Sequence, residues 1–132
     1  MNYLGIDWGI KKIGLATGSD QTKLASPFKI LKIEKYDESI AELAKIIQEE
    51  DIDICVVGDP LDLKSNKNQS DLQKKFMIDL SKITDKIELE DERMSTKLAN
   101  VLERDFGARG HDKDDDLAAT AILQTYLDRL KV

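Results

Sequence analysis

Acidic residues occur at three points of the chain where a strand is predicted to end or a helix to begin. Asp7 closes the first apolar run, with a glycine two residues away on either side. Asp91 and Glu92 follow the last predicted strand, and 114–116 is a run of three aspartates at the start of the last predicted helix. Converging carboxylates repel one another, and a divalent cation is the usual compensation. Two Mg²⁺ ions about 4 Å apart would orient a water and stabilise the leaving oxygen of a phosphodiester.

Each acidic group also has an ordinary structural explanation. Turns favour aspartate, so a simple hairpin turn accounts for Asp7 as well as a metal or phosphate site does. Asp115 and Asp116 would complement the dipole of the last helix, which favours acids in its first turn. Asp91 and Glu92 suit a solvated turn. The acids indicate a catalytic site only if the fold brings them together.

Hydrophobic periodicity predicts the elements that would position these acids. The first run and Ile13–Ala16 predict a hairpin, and Phe28–Ile33 predicts a third strand. An amphipathic helix is predicted from Asp37, as its N-cap, to residue 50. The near-continuous apolar run Ile52–Val57 is typical of a central parallel strand. The remaining predicted elements are a loop (61–69), a helix (70–83), a strand (87–90), a helix (95–104), a loop (107–113) and a last helix (114–130).

This order of elements, three strands followed by alternating helices and strands, predicts an α/β fold. The hairpins require antiparallel pairing, and the later crossovers require parallel strands. We therefore expect a mixed five-stranded sheet flanked by helices, with strands one and four as neighbours. Sites in such sheets form at the carboxyl ends of the strands. The length of 132 residues predicts one domain over 1–132.

Composition argues against a membrane protein, a secreted protein and a nucleic-acid coat protein. The chain is 41% hydrophobic and contains no apolar run near the ~20 residues that span a bilayer, so we expect no membrane partner. The start lacks a signal-peptide pattern, and the single cysteine, Cys55, lies in an apolar strand as a core residue would. These features predict a cytoplasmic protein. A net charge of -6 excludes a general nucleic-acid coat protein, but not an enzyme with a local basic rim.

Five segments, in this order and spacing, resemble the YqgF family, also called RuvX, which is described as pre-16S rRNA nuclease and Holliday junction resolvase-like. The resemblance covers nearly the whole chain. The segments are Gly5–Gly9 with Ile13–Ala16, Ala25–Pro27, Val56–Gly58 with Pro60 and Leu61, Asp91–Thr96, and Asp115 with Ala118, Ala119, Ile122–Gln124, Tyr126 and Leu127.

The resemblance implies an RNase H-like nuclease domain and metal-dependent phosphodiester cleavage. The family's acidic triad corresponds to Asp7, Glu92 and Asp115, as catalytic residues and as ligands of Mg²⁺ or Mn²⁺, with two ions expected. The implied substrate is structured RNA, at the 5′ end of the 16S rRNA precursor, in ribosome biogenesis. An alternative is resolution of Holliday junctions, which are branched DNA, in recombination and repair.

Basic residues near the predicted site would contact phosphates, which position a substrate without reading its sequence. The candidates for substrate binding are Lys11, Lys12, Arg93, Arg104 and Arg109. Lys12 occupies a position where many family members have arginine. The positive charge is kept, but a lysine cannot form the paired hydrogen bonds that a guanidinium group makes to a phosphate.

The chain departs from the family pattern around Asp59 and Ser65. The family usually reads Gly-Leu-Pro at the first point and has a glycine in the loop that follows. Asp59 adds an acid at the end of the central strand, where related resolvases carry a catalytic acid. Whether Asp59 or Asp116 joins the metal site is open at the level of sequence.

Two further hypotheses fit the first hairpin. Its Gly-Ile-Asp-x-Gly pattern also resembles the phosphate loop of the actin and sugar-kinase fold, although that machinery uses two such domains around a cleft. A non-catalytic RNA-binding domain could keep the same fold, because fold does not guarantee function. The expected oligomeric state is a monomer or a homodimer, since a symmetric four-way junction would suit a dimer and RNA trimming would not require one.

Overall fold

A computed structural model describes residues 1–9, 11–59, 67–91 and 117–130 of the chain. Its helices and strands are numbered below in chain order. They are β1 (Asn2–Trp8), β2 (Lys12–Ser19), β3 (Ala25–Lys32), α1 (Tyr36–Glu49), β4 (Ile54–Asp59), α2 (Lys67–Ser81), β5 (Ile87–Asp91) and α3 (Leu117–Arg129).

The five strands form one mixed sheet in the order β3-β2-β1-β4-β5. β1 pairs antiparallel with β2, and β2 pairs antiparallel with β3. β4 pairs parallel with β1 and with β5. The predicted α/β class and the adjacency of the first and fourth strands are therefore confirmed, and β1 lies at the centre of the sheet.

Helices pack on both faces of the sheet, and β1 contributes side chains to both layers. Leu4 and Ile6 are fully buried in a cluster with Leu43 of α1 and Phe76 of α2. Tyr3 belongs to the second cluster, which α3 supplies with Ala119, Ile122, Leu123 and Leu127. Successive side chains of a strand point to opposite faces, and because both faces of β1 are covered, Tyr3–Ile6 are all buried.

The first helix begins two residues earlier than predicted. Lys35 occupies the N-cap position without a side-chain hydrogen bond, so the prediction of Asp37 as the cap is wrong. Asp37 lies in the first turn instead, where its charge suits the helix dipole. The start of α1 is anchored by a tertiary contact, since the Tyr36 hydroxyl donates a 2.6 Å hydrogen bond to Asp79 of α2. A sequence pattern does not reveal such a partner.

Two strands are longer at one end than predicted. β3 begins at Ala25, not Phe28, because its pairing with β2 continues to Gly18. Pro27 is tolerated within it because β3 is an edge strand. β4 begins at Ile54 and runs past the expected stop to Asp59, because β5 remains paired with it there.

The two described elements that were predicted as helices after β4 are helices in the structure. α2 begins at Lys67, inside the stretch predicted as a loop, and α3 buries six residues as expected for a helix apolar on most sides. The predicted helix at 95–104, the loop at 107–113 and the first residues of the last helix lie outside the described residues. Of the helices that the structure describes, none is long and apolar enough to cross a membrane.

Cys55 is a core residue of β4, as predicted, and is fully buried with a free thiol. Burial raises the pKa of this thiol from 9.0 to about 12. We expect it to react with a disulfide reagent at pH 8 roughly a hundredfold more slowly in the folded protein than in urea.

The same raised pKa makes stability depend on pH. The unfolded thiol ionises first, so stability falls as pH rises from about 9 towards 12. Urea unfolding of the wild type and of Cys55→Ala across this range measures that contribution. An equal pH dependence in both would contradict it.

Candidate active site

Asp7 lies one residue before the carboxyl end of the central strand, on the face of the sheet that α3 covers. Its neighbours Ile6 and Trp8 belong to the opposite layer, where Trp8 packs against Phe76 with the ring centroids 5.8 Å apart. Alternation along the strand therefore directs Asp7 towards the α3 side. Asp7 as a residue is half-buried, so it is neither sealed in the core nor fully exposed to solvent.

Glycine residues lie beside Asp7 on both neighbouring strands. Gly14 of β2 is its direct antiparallel partner. On the other side Ile6 pairs with Val57, and the next residue of β4 is Gly58. No Cβ crowds the Asp7 carboxylate from these two positions, so a cation or a phosphate has room to approach.

Gly5 sets how closely α3 approaches the strand that carries Asp7. A Cβ at this position would lie 2.7 Å from the Leu123 Cβ and 2.9 Å from the Ala119 carbonyl oxygen. Further along the helix, Leu127 lies against Gly18, which pairs with Tyr3 near the start of β1. α3 therefore runs antiparallel to β1, with its described N-terminal end towards the end of the strand where Asp7 lies.

β1 connects to β2 through a turn that begins at Gly9, two residues after Asp7. The Gly9 backbone N–H donates a 2.9 Å hydrogen bond to the Lys12 carbonyl oxygen, and a Cβ on Gly9 would lie 3.0 Å from that oxygen. The turn leaves Lys11 and Lys12 exposed. Lys12 alternates with the core residue Ile13, so it shares the face of Asp7.

The structure thus brings Asp7, Lys11 and Lys12 to one end of the sheet. No group of three or more His, Cys, Asp or Glu side chains among the described residues could hold a metal ion. The other predicted site residues lie outside the described residues, and they are Glu92, Arg93, Arg104, Arg109, Asp115 and Asp116.

Residues 1–129 match the family described as RuvX, Holliday junction resolvase. The chain belongs to the RuvX family. A relative from Rickettsia canadensis (strain McKiel), named "Putative pre-16S rRNA nuclease", is 34% identical over 133 residues, which cover 97% of this chain and 86% of the relative. A relative of the same name from Rickettsia felis is 36% identical over 134 residues with the same coverage. RuvX proteins are nucleases, and this membership makes the chain an enzyme of that class.

Solved structures of junction resolvases share the fold of this RuvX chain. Thermus thermophilus RuvC in complex with a Holliday junction substrate aligns with a TM-score of 0.65 at 17% identity, over 99% of this chain and 96% of RuvC. Fowlpox virus resolvase in complex with Holliday junction DNA aligns with a TM-score of 0.64 at 13% identity, over the whole of both chains. At these identities the likeness establishes the RNase H-like fold.

Lys32 is a further basic residue at the end of the sheet where Asp7 lies, and sequence reasoning missed it. It ends β3 and is the direct cross-strand partner of Lys12. Leu31, beside it, packs in the core with Ile13, so Lys32 lies on the same face as Lys12 and Asp7. The buried residue Leu31 indicates in the sequence that Lys32 points to the opposite face of β3. Only the register between β2 and β3 shows that this position is opposite Lys12.

Glu90 is a second residue that the sequence did not single out. This carboxylate is only 2% exposed, near the end of β5, and it pairs in register with Gly58. Arg129, in the last turn of α3, donates to Glu90 and forms an ion pair with it. The pair ties the strand that leads into Glu92 to the helix that follows Asp115.

We expect Arg129→Ala to destabilise the protein by about 2 kcal/mol, because a buried carboxylate loses a charged donor. The matched control is Lys45→Ala, since Lys45 and Glu49 are 3.9 Å apart and both more than 60% exposed. That change should stay within about 0.5 kcal/mol. Equal effects of the two substitutions in urea unfolding would contradict a special role for the Glu90 pair.

Proposed function

We propose that this RuvX chain is a metal-dependent nuclease that processes the 5′ end of the 16S rRNA precursor. The observation that carries the proposal is the placement of Asp7 at the carboxyl end of the central strand, between glycine positions and beside α3. The names of the Rickettsia relatives support the RNA substrate.

The proposed catalytic and metal-binding residues are Asp7, Glu92 and Asp115. Two features of the fold support this set. β5 ends at Asp91. Both β5 and β1 run parallel to β4, so Glu92 follows a strand whose carboxyl end lies at the same end of the sheet as that of β1. Asp115 precedes α3 by two residues, and α3 has its N-terminal end towards Asp7.

The donor set fits a hard divalent cation. Carboxylate oxygens are the ligands that Mg²⁺ and Mn²⁺ take in proteins. Asp7, Glu92 and Asp115 would hold two such ions. When bound, these ions would activate water and stabilise charge on the leaving oxygen.

The chain's own residues would bind and orient the substrate. Asp7 is held rigidly because β1 is paired on both sides and covered on both faces. Lys11 and Lys12 lie at the exposed turn beside it and would hold phosphates on that side. We assign the same role to Arg93, Arg104 and Arg109, which lie between Glu92 and Asp115 in the sequence.

The proposal is tested by offering a precursor-rRNA 5′ segment and a four-way DNA junction in parallel, with Mg²⁺ or Mn²⁺. We expect cleavage of the RNA that stops when the cation is removed with a chelator and returns when it is added back. Cleavage that persists in the chelator, or no cleavage of the RNA under any condition, would overturn the proposal.

A second candidate is resolution of Holliday junctions, because the family description and two fold neighbours concern such junctions. The same assay decides between them. Paired, symmetric cuts in the DNA junction with the RNA left intact would favour this candidate, and the protein would then be expected to elute as a homodimer.

A further inference from the structure

Two lysines face each other across neighbouring strands on the face that carries Asp7. Lys12 of β2 and Lys32 of β3 are direct partners in the antiparallel register, and both are exposed. Like charges directly opposite each other in a sheet are destabilising. No ion pair among the described residues neutralises either ammonium group. The pair therefore costs stability in the free protein, and a bound anion would relieve that cost.

The position of the pair relates it to the active site. Lys12 is two residues from Gly14, the partner of Asp7, so it is a diagonal neighbour of Asp7 at roughly 7–8 Å. Lys32 lies one strand further out, about 4.8 Å from β2, on the edge strand of the sheet. Asp7, Lys12 and Lys32 form a path across the end of the sheet from its centre to its edge.

We infer that Lys12 and Lys32 together bind the phosphodiester backbone of the substrate strand and lead it from Asp7 across β2 to the β3 edge. The inference rests on the proposed function, because it assigns a surface to the substrate of that site. Lys32 is a positioning residue here, since it contacts phosphates away from the reacting one.

Lys29 provides a matched control on the same strand. It has the same charge and lies three residues from Lys32. It pairs with Leu15, which belongs to the α1 face, and its ammonium lies 3.2 Å from Glu42 of α1. Lys29→Gln therefore removes the same charge from the opposite face of the sheet.

The experiment measures binding of a labelled single-stranded RNA without cleavage, in Asp7→Asn protein that carries Lys32→Gln or Lys29→Gln. We expect Lys32→Gln to weaken binding roughly tenfold and to reduce the salt slope of log K by about 0.7. Lys29→Gln should leave both quantities unchanged. A DNA strand of the same sequence should show the same losses, because phosphate contacts carry no base information.

A second readout separates a binding role from a structural one. At low salt we expect Lys32→Gln to raise the midpoint of thermal unfolding while it weakens RNA binding, because one partner of a repelling pair is removed. Equal RNA affinities for the two glutamine variants, or a loss on RNA alone, would overturn the inference. Failure of the proposed function would instead be seen as uncut RNA with the wild-type protein, whatever the binding result.

Discussion

Asp7→Asn is expected to reduce RNA cleavage by about a thousandfold or more while the protein stays folded. Asparagine has nearly the same shape, so β1 keeps its pairing with β2 and β4. The substitution removes the negative charge that a divalent cation requires from this ligand. Cleavage is measured in single turnover with Mg²⁺, and folding is checked by circular dichroism and thermal unfolding.

A control for this substitution exists at the opposite end of the sheet. Asp53 precedes β4, is exposed, and accepts a 2.8 Å hydrogen bond from the Asn2 backbone N–H. Asp53→Asn makes the same change of charge far from the carboxyl ends of β1 and β5, so cleavage should remain near the wild-type rate. Wild-type cleavage by Asp7→Asn, or equal losses in the two variants, would remove Asp7 from the catalytic site.

Gly5→Ala is expected to lower the free energy of unfolding by about 3 kcal/mol, which is large for the addition of one methyl group. The new Cβ would lie 2.7 Å from the Leu123 Cβ and 2.9 Å from the Ala119 carbonyl oxygen. Neither atom can rotate away, so α3 must move from β1. Urea unfolding measures the loss, and cleavage at a temperature where the variant is folded reports whether moving α3 disturbs the site.

A double variant makes the cause of that loss testable. Leu123→Ala retains the Cβ that Gly5→Ala would meet, so Gly5→Ala with Leu123→Ala should be no more stable than Gly5→Ala alone. A more stable double variant would show that the end of the Leu123 side chain, rather than the backbone of α3, opposes the methyl group. Ser26→Ala, at an exposed position of β3, should change stability by less than about 0.5 kcal/mol.

Local pattern was sufficient to predict the strands, the described helices and the position of Asp7. Apolar runs such as Ile52–Val57 indicate burial on both faces, and that property belongs to the strand itself. The start of α1 was predicted wrongly, because Tyr36 is held by Asp79, which lies 43 residues further along the chain. A contact between residues so far apart cannot be read from the periodicity of one helix.

The sequence by itself determined the mixed α/β architecture, the burial of Cys55 and the acid at the end of the first strand, since periodicity and composition specify which faces are covered. The tertiary structure alone decided that Lys32 faces Lys12, that Arg129 reaches Glu90 and that α3 rests on Gly5. These contacts join residues 20 to 118 positions apart along the chain, counting from Lys12 to Lys32 and from Gly5 to Leu123. Register and helix packing bring such residues together, and neither is encoded in a short stretch of sequence.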